Sequence, residues 1–293
     1  MQALVPLVHV GHAVVIVVAQ AVGSVVTGSL ALLTDTAHAI TDASGRTEGG
    51  GSPLVPSSAM GRARGWWPIA VIVTVLVIVN LVSNRVVPDW AYVPWAVFST
   101  GVLLALAVRL DGRSWEELGL ARSQLHRGLR WGAVLAGMVL ATYLVAAAIP
   151  ATRALFEDER VKGWTLAQTL EAAFVRVPFG TVLLEEVAFR AVLPATLAVR
   201  TRRWTAIGLS AVAFGLWHVL QALHLGEVNP VAQDSIGQLP QWVTVSAAVA
   251  STAAVGVWFS WLRERSGSLL APMALHWSTN GLAYLFAYAV WNA

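Results

Sequence analysis

The chain has 293 residues, of which 57% are hydrophobic and 12% charged, with no cysteine; its mean hydropathy is +0.66. Soluble domains carry about a quarter charged residues, so there is too little polar surface here to coat a water-soluble body, and without thiols there are no disulfide frameworks, thiolate zinc sites, iron–sulfur clusters or cysteine nucleophiles. The net charge is only +3 and no phosphate loop or nucleic-acid motif occurs, which leaves a bilayer rather than nucleic acid as the partner.

A helix crossing a bilayer needs roughly 20 mostly apolar residues. About nine stretches meet this: 3–22, 23–42, 66–83, 90–108, 131–149, 178–198, 204–222, 241–262 and 268–291. The expected fold is an all-α polytopic transmembrane bundle, with about seven core helices preceded by an N-terminal helical hairpin. Three parts are expected: the hairpin 1–45, a Gly/Ser/Pro-rich linker 46–65 and a core 66–291. No secretory signal is evident, because the first apolar run lacks a basic leader and continues into a second span.

Within the hairpin, GSLALLTDTAHAITDAS places His38 and Asp42 one turn apart on one helical face, a nitrogen and an oxygen ligand for a divalent ion. This stretch resembles the second transmembrane helix of cation diffusion facilitators, whose transport site uses H-x-x-x-D. A carrier of that kind needs a second such pair, and no later span supplies one. Residues 1–50 are therefore expected to be a fused or truncated remnant of such a protein, or the product of a misassigned gene start, and cation transport through His38 and Asp42 is a distant alternative.

Further along, 111–130 (DGRSWEELGLARSQLHRGLR) reads as an amphipathic surface helix, offering Trp115, Leu118, Leu120, Leu125 and Leu129 to the interface. FEDER, 156–160, reads as a solvated outer loop, and the amphipathic run 166–177 either lies at the interface or leads into the next span. Alternation of the spans puts thirteen arginines in the loops of one side (43–65, 109–130, 199–203 and 263–267) and four basic residues on the other. Cytoplasmic loops collect basic residues, so the N-terminus is expected inside. Eighteen arginines against one lysine suggest a GC-rich genome, hence a bacterial plasma membrane.

Charges at mid-bilayer cost at least a few kcal/mol, and those that remain there mark function. In LLEEVAFRAVLP, Glu186 and Arg190 are four apart and can pair, whereas Glu185 points about 100° away and has no local partner. In AFGLWH, Phe214 and His218 share a face; in HWSTN, so do His276 and Asn280. A carboxylate in an apolar cavity is a competent general base, and His and Asn side chains can donate to a developing oxyanion. Three helices thus carry the parts for attack of water on an amide. Trp217 and Trp277, beside the motif histidines, either line that cavity or pack. His224 and Glu227 lie where they could gate it, and Pro194 and Pro272 could kink its helices.

Glu185-Glu186-x-x-x-Arg190, Phe214-x-x-x-His218 and His276-x-x-x-Asn280 resemble, in order and spacing, three motifs of the CPBP intramembrane proteases. These are the type II CAAX prenyl endopeptidases and their bacteriocin-processing or immunity relatives. The likeness runs over roughly 66–291, including WEELGL at 115–120. It implies that Glu185 and His218 activate water, that His276 and Asn280 form an oxyanion hole, and that Glu186 and Arg190 support them, with Phe214 on the His218 face. It also implies a membrane peptide or lipidated protein as substrate, and is silent on oligomeric state. No cofactor is expected; the alternative is zinc held by Glu185, His218 and His276, a legitimate ligand set, though the lack of H-E-x-x-H favours the metal-free reading. A non-catalytic scaffold or immunity protein that keeps the motifs for folding is the competing class.

Overall fold

The computed structural model describes residues 65–223 and 240–293. The N-terminal hairpin with His38 and Asp42, the linker up to residue 64, and His224 and Glu227 lie outside the described residues. Within them the fold is all-α, with seven long helical stretches and two single turns, Pro150–Arg153 and Val219–Ala222. The long ones are α1 (Trp67–Arg85), α2 (Asp89–Ala105, extended by a wide π turn Leu106–Leu110), α3 (Arg122–Ala148), α4 (166–198), α5 (Arg203–Trp217), α6 (Gln241–Ser266) and α7 (Leu270–Trp291).

Four of these are long and apolar enough to cross a membrane: α1, α2 with its π turn, α3 and α6. Four such helices among the described residues are the mark of a multi-pass membrane protein. Helices α4, α5 and α7, expected as spans, fall outside that group for a physical reason. The first carries Glu185, Glu186 and Arg190 within its apolar run; the last mixes His276, Ser278, Thr279 and Asn280 into its own. Helix α5 has only 15 residues, below the roughly 20 that span the hydrocarbon. The helices that carry the polar motifs are therefore the least lipid-like of the seven.

Small residues let the helices close on one another, as they must where lipid offers no hydrophobic drive. Gly128 and Gly132 seat α3 against the start of α7. A Cβ at Gly128 would lie 2.3 Å from Ser268 Oγ, and one at Gly132 would lie 2.7 Å from Ala274 Cβ. Gly215 does the same for α5 on α6, where a Cβ would meet the Val249 carbonyl at 2.5 Å. The variant Gly132→Leu is expected to destabilise the fold by about 1–3 kcal/mol through overpacking. A lowered unfolding temperature of the solubilised protein would show it; an unchanged one would mean that α7 moves aside freely.

Three of the loops assigned by alternation to the arginine-rich side, 109–130, 199–203 and 263–267, gather at one end. Arg200 Nη2 reaches Asp111 Oδ1 at 2.6 Å, Arg127 Nη2 donates to the Arg265 carbonyl at 2.8 Å, and the Leu269 amide donates to the Gly119 carbonyl at 2.9 Å. At the other end Arg176 pairs with Asp89 at 2.9 Å and Trp291 Nε1 donates to the Asp158 carbonyl at 3.0 Å.

Two loops differ from the sequence expectation. Residues 111–121 form no surface helix but a tight turn, and α3 starts only at Arg122. Arg113 binds Glu117 at 2.7 Å and Asp111 at 3.1 Å, and these side-chain bonds compete with helical ones. Gly119 turns the chain with φ +75°, and Leu118, expected at the interface, is fully buried. FEDER is not simply solvated either. Phe156 stacks between Tyr143 and Phe286, at ring distances of 5.2 and 5.3 Å, and Val161 is buried. Only its charged tips face water; there the hydrogen bond to Asp158 raises the Arg160 guanidinium above its ordinary value.

The run 166–177 leads directly into the next span, giving one helix, α4, through 198. Thr165 and Gln168 cap its start reciprocally: Gln168 N donates to Thr165 Oγ1 at 3.3 Å and Thr165 N to Gln168 Oε1 at 2.8 Å. Wide π turns at Ala172–Val182 and Val187–Val192 interrupt it. Pro178 lies inside the first and Pro194 just past the second, where a missing N–H is most easily absorbed. Pro272 sits in the first turn of α7, where no helical hydrogen bond is lost.

Candidate active site

Six of the seven motif residues come together where α4, α5 and α7 meet. The Val187–Val192 π turn follows Glu185 and Glu186 directly and carries Arg190. Such turns free backbone carbonyls; here Ser210 Oγ on α5 donates to the Phe189 carbonyl at 2.7 Å, tying the two helices at the site.

The Glu185 carboxylate is buried, and its two oxygens differ. Oε1 accepts a hydrogen bond from Trp217 Nε1 at 3.1 Å. Oε2 has no hydrogen-bond partner among the described residues and lies 3.8 Å from His218 Nε2 and 3.9 Å from His276 Nε2. Glu185 thus has a partner that local sequence spacing did not provide, and Trp217 is a donor rather than mere packing.

His218 stands at the break between α5 and the turn Val219–Ala222, with φ −90° and ψ 3°. Its Nδ1 lies 2.8 Å from the Phe214 carbonyl. A carbonyl can only accept, so Nδ1 carries the proton, and in the neutral ring Nε2 is left as an acceptor facing Glu185. Asn80 of α1 braces this break from outside the motifs, donating from Nδ2 to the Trp217 carbonyl at 2.9 Å. The His218 side chain is 26% exposed against 8% for Glu185, so the imidazole is the more open of the two groups.

His276 lies between the two glutamates. Its Nδ1 is 2.8 Å from Glu186 Oε1 while its Nε2 faces Glu185. The adjacent carboxylates, about 100° apart on their helix, meet different edges of a single ring; they do not serve unrelated places. Glu186 Oε2 is 3.5 Å from Arg190 Nε, both side chains being wholly buried. The guanidinium carbon sits 3.7 Å over the Phe214 ring and 5.1 Å from the Phe259 ring, so cation–π attraction offsets part of the lost hydration. This gives Phe214 its place in the motif. Nothing in the spacing of the sequence marks Phe259, whose ring also meets His276 at 5.7 Å.

Asn280 lies half-buried one turn beyond His276, with Oδ1 3.5 Å from Thr279 Oγ1. Among the described residues it makes no hydrogen bond to Glu185, His218 or His276. Trp277 is a brace, its Nε1 donating to the Ala173 carbonyl at 2.8 Å. Among the described residues no group of three or more His, Cys, Asp or Glu side chains is placed to hold a metal ion. The 3.8 and 3.9 Å gaps from Glu185 to the two imidazoles exceed the roughly 3.3 Å ligand-to-ligand edge set by zinc bonds near 2.0 Å.

Residues 167–282 match the family model of the Rce1-like type II CAAX prenyl endopeptidases. The chain carries a domain of this protease family. All seven motif residues fall inside the matched segment, and so do Trp217 and Phe259. No curated protein and no solved structure matches the chain. In the matched domain the polar groups thus lie on α4, α5 and α7, with α6 between the last two, while α1 and α3 pack on these helices from outside the match. A CAAX protease acts on a protein substrate, so the partner class is a polypeptide.

Proposed function

We propose that the chain is an intramembrane endopeptidase that hydrolyses a peptide bond of a membrane-associated or lipidated peptide, using a water molecule activated by Glu185 and His218. The observation that carries this is the unbonded Glu185 Oε2, buried and facing the Nε2 atoms of both histidines at 3.8 and 3.9 Å. These gaps are too long for direct hydrogen bonds and suit one oxygen placed between the groups. A water there donates one hydrogen to Glu185 Oε2 and one to His218 Nε2, leaving its lone pair for the scissile carbonyl carbon.

Glu185 takes the proton as the C–O bond forms. His276 donates from Nε2 to the oxyanion while Glu186 holds Nδ1, so one proton lies within the Glu186–His276 bond. Asn280, one turn further along α7, is the second donor. The proton held by Glu185 then passes to the leaving nitrogen as the C–N bond breaks, giving a carboxylate and an amine. Preorganised donors in a water-poor site carry most of such catalysis.

In the membrane the motif helices α4, α5 and α7 complete a seven-helix bundle with α1, α2, α3 and α6, and the arginine-rich loops face the cytoplasm.

The test is cleavage of a farnesylated peptide with a C-terminal Cys-aliphatic-aliphatic-X sequence by the full chain in liposomes. Product carrying the new carboxylate is expected; a chain that leaves this and other membrane peptides intact is a scaffold. Because Glu185 and His218 activate the water without a metal ion, EDTA or 1,10-phenanthroline is expected to leave the rate unchanged. Loss of activity on chelation, restored by zinc, would overturn the metal-free mechanism.

A further inference from the structure

Outward from the catalytic cluster, α2 and α7 both pack on the first half of α4 but scarcely on each other. Polar side chains border the space between them, in register with the site. Thr181 stands one turn before Glu185 on α4, and Asn280 and Tyr284 follow His276 at one and two turns along α7. Tyr92 of α2 reaches in from the other wall. Its hydroxyl lies 3.2 Å from Thr181 Oγ1 and is near enough to Glu185 and to Tyr284 to couple with both electrostatically. Tyr92, Thr181, Asn280 and Tyr284 are all half-buried, so none is sealed into the core.

Packing pins both phenol rings without using up their hydroxyls. The Tyr92 ring rests on Gly180, where a Cβ would come within 2.6 Å of it, and the Arg176 guanidinium carbon lies 5.2 Å from its centroid. The Tyr284 ring stacks on Trp164 at 5.8 Å with an interplanar angle of 6°, and the Arg160 guanidinium carbon lies 5.4 Å from it. The Tyr284 hydroxyl and Asn280 Nδ2 have no hydrogen bond among the described residues, yet neither is closed off from solvent. The Tyr92–Thr181 pair carries two hydroxyl hydrogens and uses one between its oxygens. A phenol is the more acidic hydroxyl and the better donor, so Thr181 donates to Tyr92 and the phenolic hydrogen is left free.

Side chains one turn apart on a helix are about 6 Å apart, close to the roughly 6.6–6.8 Å between same-side carbonyls of an extended peptide. His276, Asn280 and Tyr284 therefore form a ladder that an extended chain can follow. We infer that Tyr92 and Tyr284 are substrate-binding residues of the peptide-cutting site, their hydroxyls donating to backbone carbonyls of an extended peptide laid between α2 and α7. The inference rests on the reading of Glu185 as the group that activates water. Neither tyrosine lies in the matched segment 167–282. Contacts to the backbone hold the strand beside Glu185 whatever its side chains.

Steady-state cleavage of the farnesylated peptide by the full chain in liposomes tests it. Tyr92→Phe and Tyr284→Phe keep both rings and their packing. Each should raise KM about five- to tenfold, the size expected of one hydrogen bond. Their kcat should change less than about twofold, because the bond is made equally in the ground and transition states. Thr181→Val breaks the same tie between α2 and α4 but leaves the phenolic hydrogen, so KM should rise only about twofold. An ester in place of one peptide amide is a poorer acceptor; with the ester at the carbonyl that Tyr92 bonds, Tyr92→Phe should lose little further affinity. Unchanged KM in both tyrosine variants, a Thr181→Val effect equal to that of Tyr92→Phe, or a Tyr92→Phe loss equal at every ester position overturns this proposal and leaves the protease reading standing. A wild-type chain that cuts nothing overturns both.

Discussion

The variant Glu185→Gln is expected to lose peptide cleavage by about 10³–10⁴-fold, the scale of a general base removed from its reaction, while the fold stays intact. An amide keeps the shape of the carboxylate, and its oxygen can still accept the Trp217 indole hydrogen bond seen at 3.1 Å. What it loses is the capacity to take a proton from water. Single-turnover cleavage of the farnesylated peptide separates this from a binding defect: the chemical step collapses while peptide affinity stays within a few-fold. Wild-type rates in Glu185→Gln would remove Glu185 from the mechanism. His218→Ala should fall less, because its Nε2 only shares the water.

The largest structural effect is expected at Glu186. In Glu186→Leu the Arg190 guanidinium, wholly buried and held by that carboxylate at 3.5 Å, has only the rings of Phe214 and Phe259 around it. An unpaired buried charge costs roughly 3–5 kcal/mol, so this variant should unfold at much lower temperature or fail to accumulate. Adding Arg190→Met removes the stranded charge and should recover most of that stability. Activity should not return with it. His276 Nδ1 loses its partner at 2.8 Å, and the ring is no longer held with Nε2 toward Glu185. A double variant that is stable and inactive, with kcat reduced far more than KM is raised, marks Glu186 as a positioning residue. A stable, fully active one would show that His276 needs no such support.

Much of the site was legible in the sequence because helical spacing is local. The i,i+4 pairs Glu186–Arg190, Phe214–His218 and His276–Asn280 placed partners on common faces without knowledge of any other helix. Glu185 was read as partnerless because its donor, Trp217, is 32 residues away on another helix; no periodicity reports such a contact. Asn80 and Phe259 were missed for the same reason, since an Asn or a Phe in an apolar helix carries no signal of what it will touch. The 111–121 segment reads as a helix from its apolar residues Trp115, Leu118 and Leu120; the bonds of Arg113 to Glu117 and to Asp111 stabilise a turn instead.

Composition and spacing by themselves determined that the chain is a membrane-spanning α-helical protein and which polar residues share a helical face. Those are consequences of hydrophobic length and of the 3.6-residue repeat, both properties of the chain alone. Tertiary structure decided how the polar residues are joined: both glutamates on one imidazole, the indole on Glu185, and the guanidinium between two phenyl rings. Such joins depend on where separate helices cross. Side chains at the crossings set those positions, down to glycines where an added Cβ would meet its neighbour at 2.3 Å. The scarcity of charge in the chain says that it lives in a bilayer; the packing of the helices decides what the few buried charges do there.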